Sequence, residues 1–384
     1  MNRKLRGRPD FLLLFLTVLL VAFGLVMIFS ASSPKAIFTH DNSWHYVLKQ
    51  GIFAGVGLFL MLIFMNIPYS IWKKAGPGMI LFSFLLLVLV LLVGTNINGA
   101  KRWFVLGGLN IQPAEFTKLS IIVYLSTLIS KKGEEIRSFK KGLLPLLIMV
   151  GLIISLIMMQ PDFGTVLILA FIAGTIIMIG GVDLRHLFML GLGLVPMFIY
   201  LAISQSYRLK RIHSFLNPFE NQSDSGYQLI QSLYALGHGG LTGTGLGRSV
   251  QKLFYLPEAH TDFIFAVIGE ELGIVGTTLF FIVFFLFFWR GFAAAIQSND
   301  PFGMMLGMGL ISMIGIQFLL NLGAATGSLP VTGVPLPFIS YGGSSLVLCM
   351  ASTGILLGIS RDNNRRQKEE LLHSHHHNRR STSA

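Results

Sequence analysis

Leu256-Pro257-Glu258-Ala259-His260-Thr261-Asp262 closes the longest polar stretch of a very apolar chain, and Phe263-Ile264-Phe265-Ala266-Val267-Ile268-Gly269-Glu270-Glu271 follows it without a break. The sequence stays apolar as far as Trp289. That is enough to cross a bilayer core, which takes about 20 mostly apolar residues. Carboxylates at or inside such a segment are costly and are normally functional or paired, so each of the three acids needs a reason. Asp262 has two readings. It can be the N-cap of the helix, its carboxylate accepting a first-turn N–H, or a general base at the water–lipid boundary. The two are compatible, but only the second gives a use to nearby acidic and cationic groups. Glu270 and Glu271 lie two turns deeper, and their plainer reading is a structural pairing with a cation from a neighbouring helix.

Apolar runs of the same kind recur throughout. Only 12% of the 384 residues are charged and 53% are hydrophobic, against about 25% charged in soluble domains. The runs are continuous and do not alternate, which excludes a β-barrel. The chain therefore reads as an all-α polytopic membrane protein, a bundle of about ten transmembrane helices. The spans fall near 11–30, 51–67, 77–94, 112–130, 142–159, 163–181, 187–204, 262–289, 302–322 and 341–359, with one long extracellular loop, 205–261, between spans 7 and 8. The first run is long for a signal-peptide core and is not followed by a clear cleavage site, so it reads as a span. A basic head, 1–10, precedes the bundle, and a disordered His-rich tail, 362–384, follows it. The single cysteine, Cys349, permits no intrachain disulfide.

The net charge of +12 would suggest nucleic acid in a soluble protein. Here most Lys and Arg fall in the head, the even-numbered loops and the tail. The positive-inside rule places that side, and both termini, in the cytoplasm, and the long loop outside. Lys101, Arg102, Arg208, Lys210, Arg211, Arg248 and Lys252 depart from this trend. A set of cations on the outer face asks for an anionic ligand, and Arg suits phosphate through its forked donors. Trp103 reads either as an interfacial anchor or as a platform for a sugar ring.

Within span 4, Glu115 and Lys118 stand at i, i+3 and can pair on one face. They are expected to form a buried polar knot with Glu270 or Glu271. In the long loop, Leu229, Ile230, Leu233, Tyr234 and Leu236 share a helical face, which predicts an amphipathic helix over 227–236, lying in the interface or packed on the bundle. Gly237 to Gly247 carries six glycines and can approach a ligand closely, but it lacks the Gly-Lys-Ser/Thr ending of a phosphate-binding loop. Two prolines and three glycines in Gly333–Ser345 mark non-helical backbone, which at membrane depth survives only when buried in protein or lining a cavity. His373, His375, His376 and His377 read as a solvated tail, and no cluster with metal-ligand spacing appears elsewhere.

The run Leu256–Gly273 resembles the signature of the SEDS family of shape, elongation, division and sporulation proteins. Five further stretches agree: Asn98–Trp103, Gln112–Lys118, Gln160–Thr165, Tyr207–Arg211 with Asn217-Pro218-Phe219, and Pro335–Ser345. The resemblance covers 11–361 and leans to the division and sporulation branches. It implies a peptidoglycan glycosyltransferase that polymerises lipid II at the outer face of the bacterial cytoplasmic (inner) membrane, with a class B penicillin-binding protein and other division or elongation proteins as partners and no nucleic acid. It places the family's catalytic Asp on Asp262, its functional Trp on Trp103, and its paired Glu and Lys on Glu115 and Lys118. Candidates for substrate contact are Lys101, Arg102, Trp103, Arg208, Arg211, Arg248, Lys252, His260 and Ser344. No cofactor is certain, and a divalent cation, Mg or Mn, is a candidate to share the pyrophosphate's charge.

Two other classes fit part of the same sequence. A transporter that flips a lipid-linked precursor also suits ten spans, intramembrane acids and a Gly/Pro-broken segment, although no internal repeat is evident. A non-catalytic scaffold for the division machinery explains the spans but leaves Asp262 and the outer cations unused.

Overall fold

The computed structural model describes residues 7–97, 99–107, 109–203, 206–220 and 225–381. Twelve α-helices are assigned among them: α1 Phe11–His40, α2 His45–Asn66, α3 Ser70–Val93, α4 Pro113–Lys132, α5 Leu144–Met158, α6 Phe163–Ile179, α7 Leu184–Ile203, α8 Ser206–Leu216, α9 Ser225–His238, α10 Ile264–Ile296, α11 Pro301–Ala325 and α12 Gly343–Ser381. Seven helical segments are long and apolar enough to cross a membrane, and α6 is a shorter apolar helix. With α4 and α7 these match the ten expected spans. The protein is a polytopic helical membrane protein, and α8 and α9 lie in the long loop.

The apolar pattern decides where each helix sits. α4 is buried along most of its length and packs on α3, α6, α11 and α12. α11 is buried on most sides as well. The outer helices keep large exposed side chains such as Phe59, Phe82, Phe188 and Phe285, which suit a lipid environment. α1 exceeds its expected span by about three turns. Its 30 residues at about 1.5 Å each make a rod longer than the ~30 Å hydrocarbon core. The extra turns, Ala31–His40, are polar enough to stand clear of it.

Three parts depart from the expectation. The stretch after α3 is not loop but a small antiparallel sheet, β1 Thr95–Ile97, β2 Ala100–Leu106 and β3 Leu109–Ile111, in the order β1-β2-β3. β2 is rich in aromatic and branched residues, which favour strand. Over the expected tail, α12 continues past the last span to Ser381. Side-chain bonds hold its first extra turns: Arg361 Nη1 to Asn66 Oδ1 at 2.9 Å, Asn363 Nδ2 to the Ala294 carbonyl at 2.9 Å, and Asn364 Nδ2 to the Arg8 carbonyl at 2.7 Å. At the same end of the bundle Asp10 caps α1 through the Leu13 N–H and pairs with Arg290 of α10 at 2.5 Å.

The third departure is a break inside α10. Gly273 takes φ 63° and ψ −165°, and the Gly-rich loop fills the gap. Ile274 N–H and Val275 N–H donate to the Gly240 and Leu241 carbonyls, while Thr244 N–H and Gly245 N–H donate to the Glu270 and Glu271 carbonyls. Gly243 and Gly273 touch backbone to backbone, leaving no room for a Cβ at either. Gly243 and Gly273 therefore serve helix–loop interlocking, and the Thr244 and Gly245 donors are used by α10.

Candidate active site

Asp262 lies at the end of the loop that feeds α10. The helix begins at Ile264 with Phe263 as its N-cap, and no side chain bonds to the cap. The capping reading of Asp262 therefore does not hold, and its carboxylate has no hydrogen bond or ion pair among the described residues. The loop turns sharply at Glu258, whose φ is 57°, and the Glu258 carbonyl accepts from Thr261 N–H and Phe263 N–H. Three successive carbonyls are then held from outside the loop. His260 O accepts from Tyr341 N–H at 2.9 Å, Thr261 O from the Ser340 hydroxyl at 2.5 Å, and Asp262 O from Asn321 Nδ2 at 2.8 Å. Opposite the carboxylate runs the irregular segment before α12. There Gly333 takes φ +72°, and a Cβ added to it would lie 3.6 Å from Asp262 Oδ2, so the segment passes near the carboxylate.

Burial pushes the Asp262 carboxyl up to about 6, and the charge of Glu258 adds to the rise. Arg211 and Arg102 oppose it, and Asp162 reinforces it. Two of the expected cations thus act on Asp262. Arg211 also donates from Nη1 to the Val331 carbonyl at 3.0 Å. Arg102 stands 3.7 Å from Asp162. Asp162 caps α6 through the Thr165 N–H and accepts from Gln112 Nε2. Lys101 and Trp103 fall on one face of β2 and Arg102 on the other, by strand alternation. Lys101 is exposed and Trp103 half-buried.

Ser344 accepts from the Gln112 N–H and donates to the Asn110 carbonyl, so it ties the β3 end of the sheet to the start of α12. Arg248 is exposed beside the Gly-rich loop. Arg208 lies on α8, and its side chain is outside the described residues.

Four candidates are placed differently from expectation. Lys252 does not reach outward. It is buried and pairs with Glu271 at 2.6 Å while also bonding Ser30, because the Gly-rich loop folds back onto α10. Glu270 and Glu271 do not join Glu115 and Lys118. Glu270 accepts from the Ser249 hydroxyl, Val250 N–H and Gln251 N–H and pairs with His238, and Glu271 also accepts from the Ser30 hydroxyl. His260 is buried, with the rings of Tyr46 and Tyr341 at 4.8 and 5.7 Å. Burial, with Lys35 assisting, lowers its imidazole to about 4, so the ring is neutral and shielded. Glu115 and Lys118 do pair, at 2.7 Å and buried.

Sequence reading missed Asn321 and Ser340. The signal for Asn321 was available, since it is a polar residue inside the apolar run Phe318–Leu322, and such residues are usually functional or bonded.

The chain matches the family described as cell cycle proteins, FtsW/RodA/SpoVE, over residues 10–365. It belongs to that family. It is 44% identical over 355 residues to stage V sporulation protein E of Bacillus subtilis, covering 92% of this chain and 97% of the relative. It is also 44% identical to a protein named probable peptidoglycan glycosyltransferase FtsW of Trichlorobacter lovleyi, covering 91% and 93%. Among solved structures, a chain from a peptidoglycan synthase complex described as coordinating polymerisation and crosslinking aligns with TM-score 0.76 at 29% identity, covering 92% of this chain and 98% of that one. The rod shape determining protein RodA of Thermus thermophilus aligns with TM-score 0.68 at 30% identity, covering 92% and 97%.

Proposed function

We propose that this protein is a peptidoglycan glycosyltransferase that polymerises lipid II, with Asp262 as its general base. The observation that carries the reading is the state of that one carboxylate. It is held by its backbone, unused by cap or ion pair, raised to about 6 by burial, and acted on by the charges of Arg102 and Arg211. A carboxylate in this state can accept a proton near neutral pH.

In the reaction a hydroxyl of the acceptor sugar attacks the anomeric carbon of the donor. The new glycosidic C–O bond forms as the bond to the pyrophosphate oxygen breaks. Asp262 takes the hydroxyl proton, and undecaprenyl pyrophosphate leaves with the negative charge. Arg102 and Arg211 are nearest to stabilising that charge, and fixed cations of this kind act most strongly where water is excluded. Lys101, Arg248 and Arg208 can extend the anion path, and Trp103, beside Lys101 on β2, is placed to stack on a sugar. Lys252, His260 and Ser344 support the site's shape. A divalent cation, Mg or Mn, can share the pyrophosphate's charge with Arg102 and Arg211.

The site lies at the outer face of the bacterial cytoplasmic membrane in this reading, with both termini in the cytoplasm. The partner is a class B penicillin-binding protein that crosslinks the new strand. The similarity to sporulation and division proteins at 44% identity favours those branches. The test is polymerisation of lipid II by the purified protein in detergent, with and without a class B penicillin-binding protein, and with EDTA in a parallel set. Glycan chains that lengthen with the partner are expected. No polymer in any condition would overturn the reading and direct attention to lipid flipping.

A further inference from the structure

The carboxylate of Asp262 is left free for chemistry, yet its backbone is fixed more tightly than a loop requires. The three consecutive carbonyls at 260–262 are bonded by Tyr341, Ser340 and Asn321. Asn321 uses one amide group for two strands of backbone: Nδ2 donates to Asp262 O at 2.8 Å and to Val334 O at 2.8 Å. Val334 follows Gly333, where an added Cβ would come within 3.6 Å of Asp262 Oδ2. A single side chain therefore sets the spacing between Asp262 and the segment facing it. Ser340 performs the same kind of bridge, accepting from Leu336 N–H at 2.8 Å and donating to Thr261 O. Both side chains are buried, and Asn321 is 1% exposed.

These bonds are more than core satisfaction, because they converge on the adjacent residues Thr261 and Asp262 from two elements. Asn321 projects from α11 and Ser340 from the segment before α12. Neither touches the carboxylate, so neither is a base or a substrate ligand. A general base must be held within about 0.5 Å of its working geometry, and a displacement of about 1 Å can cost ~10²-fold in rate. A loop residue just ahead of a helix has no such precision of its own.

We propose that Asn321 and Ser340 are positioning residues that clamp the Thr261–Asp262 backbone to the Val334–Ser340 segment and thereby fix the direction of the Asp262 carboxylate. This rests on the reading of Asp262 as the base.

The test is lipid II polymerisation by the full-length purified protein with its class B partner, followed from pH 4.5 to 8, for wild type, Asp262→Asn, Asn321→Ala and Ser340→Ala at matched folded fraction. Asn321→Ala is expected to lower kcat about 10- to 100-fold with KM changed less than about threefold. The acid limb of its pH profile should move below its wild-type position, because a released carboxylate regains water. Ser340→Ala should move in the same directions by less. Wild-type kcat and an unmoved limb in both variants would overturn the proposal, and so would a loss confined to KM. If Asn321→Ala yields no folded protein, Ser340→Ala, which removes one oxygen, decides alone on the same criteria. An active Asp262→Asn would instead refute the assignment of the base.

Discussion

Two sets of carboxylates sit within three turns of one another at the start of α10, and they are treated in opposite ways. Glu270 and Glu271 are saturated with partners from α1, α9 and the Gly-rich loop. Asp262 has its carbonyl bonded and its carboxylate left open. The saturated pair holds the long loop against the broken helix. The open one is kept in a state that can take a proton. Position near an active site does not mark a residue as catalytic; what its oxygen atoms are already doing is the better sign.

The contrast gives opposite expectations for neutralising each acid. Asp262→Asn should remove polymerisation by about 10² to 10⁴, the usual worth of a general base, while the protein stays folded. Glu271→Gln should leave Lys252 as an unpaired buried cation and cost about 3–5 kcal/mol of stability, read as an earlier unfolding transition in detergent. Replacing both partners with apolar residues should recover much of that loss.

A smaller effect sharpens the same comparison. A carboxyl whose value is raised on folding stabilises the folded state below its unfolded value, and that contribution is lost as pH rises through about 6. At pH 7.5 the ionised Asp262 is therefore a burden, and Asp262→Asn should melt above wild type, with the gap closing below about pH 4. A lower melting point at pH 7.5 would break the contrast with Glu271. Wild-type polymerisation should fall as pH drops through about 6, since only the ionised form accepts a proton. The smallest effect is expected at His260. His260→Phe should keep the ring packing between Tyr46 and Tyr341 and change kcat by less than about threefold, because the imidazole is buried and neutral.

The ten spans were legible because each is a continuous apolar run, and α9 because its apolar residues recur on one helical face. The Glu115–Lys118 pair was legible because its partners are three residues apart on one helix. The Lys252–Glu271 pair was not. Nothing local marks a loop lysine as folding back onto a helix that begins twelve residues later, and a cation outside the bundle reads as a ligand contact until the fold is known. The sheet at Thr95–Ile111 was obscured because its glycines suggested loop while the strand residues between them were few. Asp262 itself was visible as a carboxylate at a boundary. What separates it from a cap is the placement of Phe263 as the first helix residue's neighbour, and that is set by the bend at Glu258, which the sequence does not announce.

The most direct test of the account is the polymerisation of lipid II by wild type and Asp262→Asn, purified in parallel with the class B partner and compared at equal folded fraction at pH 7.5. The account predicts glycan strands from wild type and none above background from Asp262→Asn, with the variant at least as resistant to unfolding. Strands of normal length and rate from Asp262→Asn would contradict it.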